Sequence, residues 1–264
     1  MADKRRICAP IDTVPPVGNP RQPCTAASGR LGGRDAMAVR PIFLETDVNP
    51  QATGSSLLEM NGTKVICSVY GPRQSHRRQP FRDTGVIDVE VLTSPFAGTH
   101  RLAPGKNAQD GELAALVEQA LLPSLRLDTF PKLSVDIYIV ILENGGSVLP
   151  AAINCATAAL ASAGIPMNDL AIACNTVSIA ASAPASGADQ SQQSLWIDPC
   201  LEEEASPDLA GSMLVTYMPT LNETSLMIST GSAPPTQVTE AFHTCLAGCL
   251  SLHKTIVECL TRDA

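Results

Sequence analysis

Residues 54–67 read Gly54-Ser-Ser-Leu-Leu-Glu-Met-Asn-Gly-Thr-Lys-Val-Ile-Cys67. Two short apolar runs flank Asn61-Gly62, a dipeptide that accepts positive φ at both central positions of a two-residue turn. The stretch therefore predicts a β-hairpin, with strands over Gly54–Met60 and Thr63–Tyr70. Gly71-Pro72-Arg73 is read as its end. Upstream, residues 38–48 have an extended pattern. Downstream, residues 74–84 form a polar, basic loop. Residues 86–92 then alternate, with Ile87, Val89 and Val91 on one side and Val86, Asp88 and Glu90 on the other.

Helical spacing begins at Asp110, a candidate N-cap, and runs to Leu125 through Leu113, Leu116, Val117, Ala120 and Leu121. Ser134–Leu142 is a strand. Asn144-Gly-Gly-Ser147 follows it, and then an Ala-rich helix over 149–163 that Gly164 stops. This helix is apolar on nearly every side, so it belongs between layers. Residues 169–181 are strand-like, and 183–194 form a Ser/Ala/Gln/Gly loop. Residues 195–197, 211–218 and 224–229 extend a second sheet. A final helix covers 236–260, with Val238, Ala241, Phe242, Cys245, Cys249, Leu252 and Ile256 as its apolar stripe. Strands come in groups, each closed by a helix, which is the order of an α+β architecture made of two similar sheet/helix halves.

Composition narrows the classes. The chain has 264 residues, 44% of them apolar and 17% charged, so it can build a core and is not a disordered polymer. Its longest apolar runs, such as Ile137–Leu142, fall far short of the roughly 20 residues that span a bilayer. Met1-Ala-Asp-Lys-Arg-Arg6 is not followed by an apolar stretch, so no secretory signal is expected. Residues 1–35, rich in Pro and Gly, read as a flexible N-terminal arm that becomes ordered near Arg34. Residues 36–165 and 166–264 read as the two halves. Nine cysteines without a C-x2-C repeat read as reduced thiols. Cys245, Cys249 and His253 share a helix face. Core packing explains that spacing better than a metal, whose structural ligands usually come from loops or finger motifs.

The net charge of −8 conceals a split. Residues 1–132 sum to +3 and residues 133–264 to −11, and no Lys or Arg occurs between Lys132 and Lys254. The basic residues include a cluster after the first hairpin (Arg73, Arg77, Arg78, Arg82) and His100, Arg101 and Lys106 in the next loop. Such groups suit sequence-independent phosphate contact. A solvated loop or a salt-bridged subunit contact is the competing reading. Tyr70, Phe81 and Phe96 do not alternate in a way that supports base stacking.

The order of motifs resembles the RNase PH family, in particular the RNase PH-like subunits of the eukaryotic RNA exosome. The resemblance rests on the 54–67 hairpin, Arg40-Pro41, Gly71-Pro-Arg-Gln74, Ser94-Pro-Phe-Ala-Gly98, Leu142-Glu-Asn-Gly-Gly-Ser147, Ala163-Gly-Ile-Pro-Met-Asn-Asp169, Asp198-Pro-Cys-Leu-Glu-Glu-Glu204 and Met218-Pro-Thr-Leu-Asn222. It covers about residues 34–260. It implies the RNase PH fold and a six-membered ring around an RNA channel. The implied partners are other RNase PH-like subunits, RNA-binding cap subunits, an associated exoribonuclease and RNA. The implied locations are nucleus, nucleolus and cytoplasm. No cofactor or metal is implied.

Active members of that family split RNA with inorganic phosphate. Their loop reads Asp-Gly-Gly-(Ser/Thr)-Arg, and the arginine grips the phosphate. Here Asn144 stands at the aspartate and Val148 at the arginine. Gly145, Gly146 and Ser147 remain, and their N–H groups at a helix N-terminus are expected to form at most a weak anion site. Asp198 matches the first of two family aspartates and Glu204 falls near the second. Glu202-Glu203-Glu204 otherwise reads as a solvated acidic loop. The resemblance thus implies a non-catalytic structural subunit supporting 3′-to-5′ RNA processing. The alternative is an active phosphate-dependent 3′-to-5′ exoribonuclease. A small-molecule thiol hydrolase lacks any G-x-S-x-G-type nucleophile motif.

Overall fold

The computed structural model describes residue 30 and residues 33–74, 83–98, 101–103, 105, 107–179 and 194–263. Five strands make the first sheet: β1 (Ile42–Thr46), β2 (Gly54–Met60), β3 (Thr63–Gln74), β4 (Val86–Thr93) and β5 (Leu133–Glu143), in the order β1-β2-β3-β5-β4. All neighbours are antiparallel except β4 and β5. The second sheet is antiparallel throughout: β6 (Ile172–Ile179), β7 (Ser194–Ile197), β8 (Leu209–Met218) and β9 (Glu223–Gly231), in the order β7-β6-β8-β9. The described residues also form four α-helices: α1 (Ala108–Leu121), α2 (Val148–Ser162), α3 (Leu201–Glu204) and α4 (Pro235–Asp263).

Helix α2 contacts strands of both sheets and also α4. Every residue from Pro150 to Leu160 is buried, which is what an all-round apolar helix requires. Its two polar residues there are satisfied across the layer. Asn154 exchanges hydrogen bonds with the Ala173 backbone at 3.0 and 2.8 Å, and the Thr157 hydroxyl donates to Ala171 O at 2.8 Å. One core cluster runs from Val65, Ile139 and Ile153 through Cys174 to Cys249 and Ile256, joining the two halves. Cys245 and Cys249 are wholly buried in α4's packing against the second sheet, and burial pushes the Cys245 thiol up to about 12.

Several boundaries differ from the sequence reading. The β2–β3 hairpin turns at Asn61-Gly62 with positive φ at both residues, as expected. But β3 does not end at Gly71. It continues to Gln74, because pairing with β5 resumes at Arg73–Ser134 after a register shift. Asp110 is not the N-cap of α1. Asn107 holds that position, and its N–H donates to Asp110 Oδ2 at 3.2 Å. Helix α1 stops at Leu121, where a 3₁₀ turn over 122–124 containing Pro123 takes over. Residues 169–171 precede β6. There Asp169 accepts the Thr220 and Leu221 N–H groups at 2.6 and 3.2 Å and so fixes the β8–β9 turn. The loop read over 183–194 lies outside the described residues except for Ser194, which opens β7.

Candidate functional site

The loop Asn144–Ser147 connects β5 to α2, and hydrogen bonds and close contacts hold it from three sides. Gly145 packs on the hairpin turn: a Cβ there would lie 2.5 Å from Gly62 C. Gly146 has φ +99°, and its Cβ would lie 2.3 Å from Leu201 N. Only glycine tolerates both the conformation and that approach. Ser147, at φ 51°, is the N-cap of α2. Its hydroxyl donates to Pro199 O at 2.9 Å.

The three N–H groups of Gly145, Gly146 and Ser147 are all engaged by the chain itself. Gly145 N–H donates to Thr63 Oγ1 at 3.2 Å. Gly146 N–H donates to Asn144 Oδ1 at 3.1 Å. Ser147 N–H donates to Glu204 Oε1 at 3.0 Å. The expected weak anion site is thus corrected: its donors are satisfied internally. Val148 begins α2 and brings no charge.

The acidic segment is not a solvated loop. Residues 201–204 form the short helix α3, and Glu203 is fully buried. Burial of these acids is stabilised by three arginines from the N-terminal segment, which sequence reading did not assign to the site. Arg40 is wholly buried and forks onto Asp198, with Nε to Oδ2 at 2.8 Å and Nη2 to Oδ1 at 2.6 Å. The Arg40 backbone N–H also donates to Asp198 Oδ2, at 2.9 Å. Its remaining donors reach Gly145 O and Gly146 O at 3.3 Å. Burial opposes the Arg40 charge, but the hydrogen bond and charge of Asp198 leave its pKa raised. Arg30 Nε donates to Glu203 Oε1 at 3.2 Å, and Nη2 donates to Asp198 O at 3.1 Å. Arg34 Nη2 lies 3.4 Å from Glu203 Oε2. Arg30, Arg34 and Arg40 thus face Asp198, Glu203 and Glu204, and the cluster has no net charge to offer an incoming anion.

Two of these arginines, Arg30 and Arg34, fall within the span read as a flexible arm. They are packed, with Ile197 N–H also donating to Ala36 O at 3.0 Å. Within the arm, residues 1–29, 31 and 32 lie outside the described residues. The sequence signals that pointed here were the charge split and Arg40-Pro41. Neither names the partners, which lie more than 150 residues away.

The candidate RNA-contact residues separate. Arg73 pairs with Ser134 at the start of β5, whereas Thr93 pairs with Ile141 at its end. Asn144 N–H also donates to Ala97 O, at 2.9 Å, and Leu102 N–H donates to Pro95 O at 3.0 Å, so residues 94–98 and 101–103 lie at the Gly-Gly loop's end of the sheet. At about 3.3 Å per residue, Arg73 sits roughly 30 Å from that loop. Its Nε donates to Asp136 Oδ2 at 2.6 Å, and its guanidinium stands over the Tyr70 ring at 5.6 Å. The expectation that Arg73 lies in a basic loop is therefore corrected: it belongs to β3 and is paired with Asp136. Arg101 is exposed. Arg77, Arg78, Arg82, His100 and Lys106 lie outside the described residues.

Comparison with known proteins agrees with this architecture. Residues 38–166 match the 3′ exoribonuclease family, domain 1 (RNase PH). The chain is 34% identical to the exosome complex component RRP41-like of Arabidopsis thaliana, over 100% of this chain and 98% of that protein. It is 32% identical to the exosome complex component MTR3 of Homo sapiens, over 99% and 96%. The crystal structure of rice (Oryza sativa) Rrp46 superposes with a TM-score of 0.73 at 22% identity, covering 88% of this chain and all of that one. The Archaeoglobus fulgidus exosome with RNA bound to the active site gives 0.71 at 20% identity, over 87% and 93%. The chain belongs to the RNase PH family. Its relatives at full-length coverage carry the names of exosome complex components.

Proposed function

We propose that this chain is a non-catalytic structural subunit of an RNA exosome ring, of the mRNA-transport-regulator type, supporting 3′-to-5′ RNA processing and degradation. The observation that carries the reading is the state of the Gly-Gly loop. Phosphorolysis must bring a phosphate dianion against an anionic RNA backbone, which requires preorganised positive charge at the phosphate. Here Val148 stands where active members carry arginine, and the nearest buried guanidinium, on Arg40, is committed to Asp198. In this reading Asn144, Gly145, Gly146 and Ser147 are a degenerate phosphate loop.

The same reading makes its partners RNase PH-like neighbours, cap subunits and an associated exoribonuclease, in nucleus, nucleolus and cytoplasm. RNA contact is assigned to the basic loops, with Arg101 at the Gly-Gly end of the first sheet. The test is phosphate-dependent shortening of an RNA tail by the purified full chain. We expect no release of nucleoside diphosphates. Release that Asp198→Asn abolishes, in a variant that melts as a folded chain, would establish the alternative, an active phosphorolytic nuclease.

A further inference from the structure

Among the described residues four strands form the sheet edges: β1 and β4 in the first sheet, β7 and β9 in the second. A bare edge presents unpaired N–H and C=O groups that invite another chain, so native proteins shorten, charge or cover it. Three of these edges carry such a device. Strand β4 holds Asp88 and Glu90, and its Thr93 Oγ1 donates to Asp110 Oδ1 of α1 at 2.6 Å. Strand β7 has four residues, and Ile197 N–H at its end donates to Ala36 O. Strand β1 has five residues and contacts α4. Strand β9 differs: it has nine residues, no Lys, Arg or Pro, and one charge, Glu223 at its start. Contact with α1 and the packing of Leu226 into the main core fix its place. Met227 is nevertheless 50% exposed, and Ser229, Thr230 and Gly231 are exposed as well.

The sequence of this edge is also a near-palindrome. Thr224-Ser-Leu-Met-Ile-Ser-Thr230 reads the same from either end about Met227, with Leu226 and Ile228 exchanged. A two-fold axis through Met227 runs a second copy antiparallel to the first. It sets Met227 against Met227, Leu226 against Ile228, Ser225 against Ser229 and Thr224 against Thr230, while Glu223 falls opposite Gly231. No like charges meet, and aliphatic and hydroxyl pairs are cross-strand pairs that stabilise antiparallel ladders. Such self-complementarity is what a two-fold interface requires, because one patch serves both subunits. The register of β9 on β8 shifts between Thr216 and Tyr217, which leaves Ser225 without a partner residue on β8. Regular pairing on the free edge is therefore expected over 225–229 and ends before the threonines. We propose that β9 is a self-docking edge. Two copies of this chain join by antiparallel β9 pairing about Met227, and their four-stranded sheets continue into one of eight strands. The occupant is a second copy and not a different subunit, so the inference is independent of the ring reading.

Sedimentation velocity of the full chain alone, under reducing conditions and at rising concentration, tests it. The wild type is expected to pass from monomer to dimer. Met227→Lys sets two ammonium groups against each other on the axis and is expected to stay monomeric. Leu250→Lys, the same kind of change at an exposed position of α4, is expected to keep the dimer. A wild type that stays monomeric at every concentration it tolerates overturns the proposal. So does a dimer that Met227→Lys leaves intact or that Leu250→Lys removes. Met227→Cys decides the matter should Met227→Lys not fold. Diamide is expected to convert it to a covalent dimer, because an axis through residue 227 brings the two thiols together. Phe43→Cys, exposed on β1, is expected to stay a monomer under the same treatment. Equal cross-linking of the two variants, or none in Met227→Cys, overturns the self-docking edge. Phosphorolysis by the chain is a separate outcome that strikes the non-catalytic reading alone.

Discussion

Arg40 and Asp198 show how much one residue pair carries. Both are buried, and they share two side-chain bonds and one backbone bond. Removing one partner of such a pair strands a charge away from water and typically costs about 3–5 kcal/mol. Arg40→Met is therefore expected to lower unfolding free energy in urea by about that amount. Adding Asp198→Asn to it should recover part of the loss, because the stranded charge is gone. Arg40 was visible in sequence only as half of an Arg-Pro pair. Asp198 was visible only as a family-matched acid. That they meet is invisible to any local pattern, since 158 residues separate them. The same holds for Arg30 with Glu203, whose burial no triplet of glutamates advertises.

Among the elements, those with strong periodicity were legible and those set by partners were not. The β2–β3 hairpin, β5, α2 and α4 follow from alternation, turn chemistry and helical spacing. The continuation of β3 to Gln74 depends on β5 as a partner strand. The conversion of the acidic triplet into α3 depends on arginines from the N-terminal segment. Packing between α2 and β2 turns on one glycine. A Cβ at Gly54 would stand 2.3 Å from Ala163 N and 2.6 Å from Ala159 O, both backbone atoms that cannot rotate away. Gly54→Ala is expected to destabilise by about 1–3 kcal/mol or more through forced separation of helix and sheet. Gly111, on the exposed side of α1, meets nothing within 4 Å. Gly111→Ala should stabilise by about 0.5–1 kcal/mol, the helix-propensity difference alone. Melting curves of the two variants, moving in opposite directions, check the packing argument.

For the whole molecule, the charge split changes meaning. The basic first half and acidic second half first suggested an RNA-facing side. Part of that positive charge is in fact consumed by acids of the same chain: Arg30, Arg34 and Arg40 pair with Asp198 and Glu203 in the interior, and Arg73 is tied to Asp136 nearer the surface. What remains for RNA in the described residues is exposed and includes Arg101. In a reconstituted ring, Arg101→Ala is expected to weaken RNA binding severalfold and to lower its salt dependence, as loss of a phosphate contact does. Unchanged affinity at moderate salt would assign Arg101 to solvent instead. By itself the sequence determined the α+β class, the family and an uncharged residue at Val148, because these lie in local spacing and in residue identity. Only the tertiary structure decided that the Gly-Gly loop's N–H groups are engaged, that Glu204 takes the last of them, and that arginines from the N-terminal segment balance the acids. Those are facts of burial and charge pairing across the whole chain, which come into being only when distant residues share one low-dielectric space.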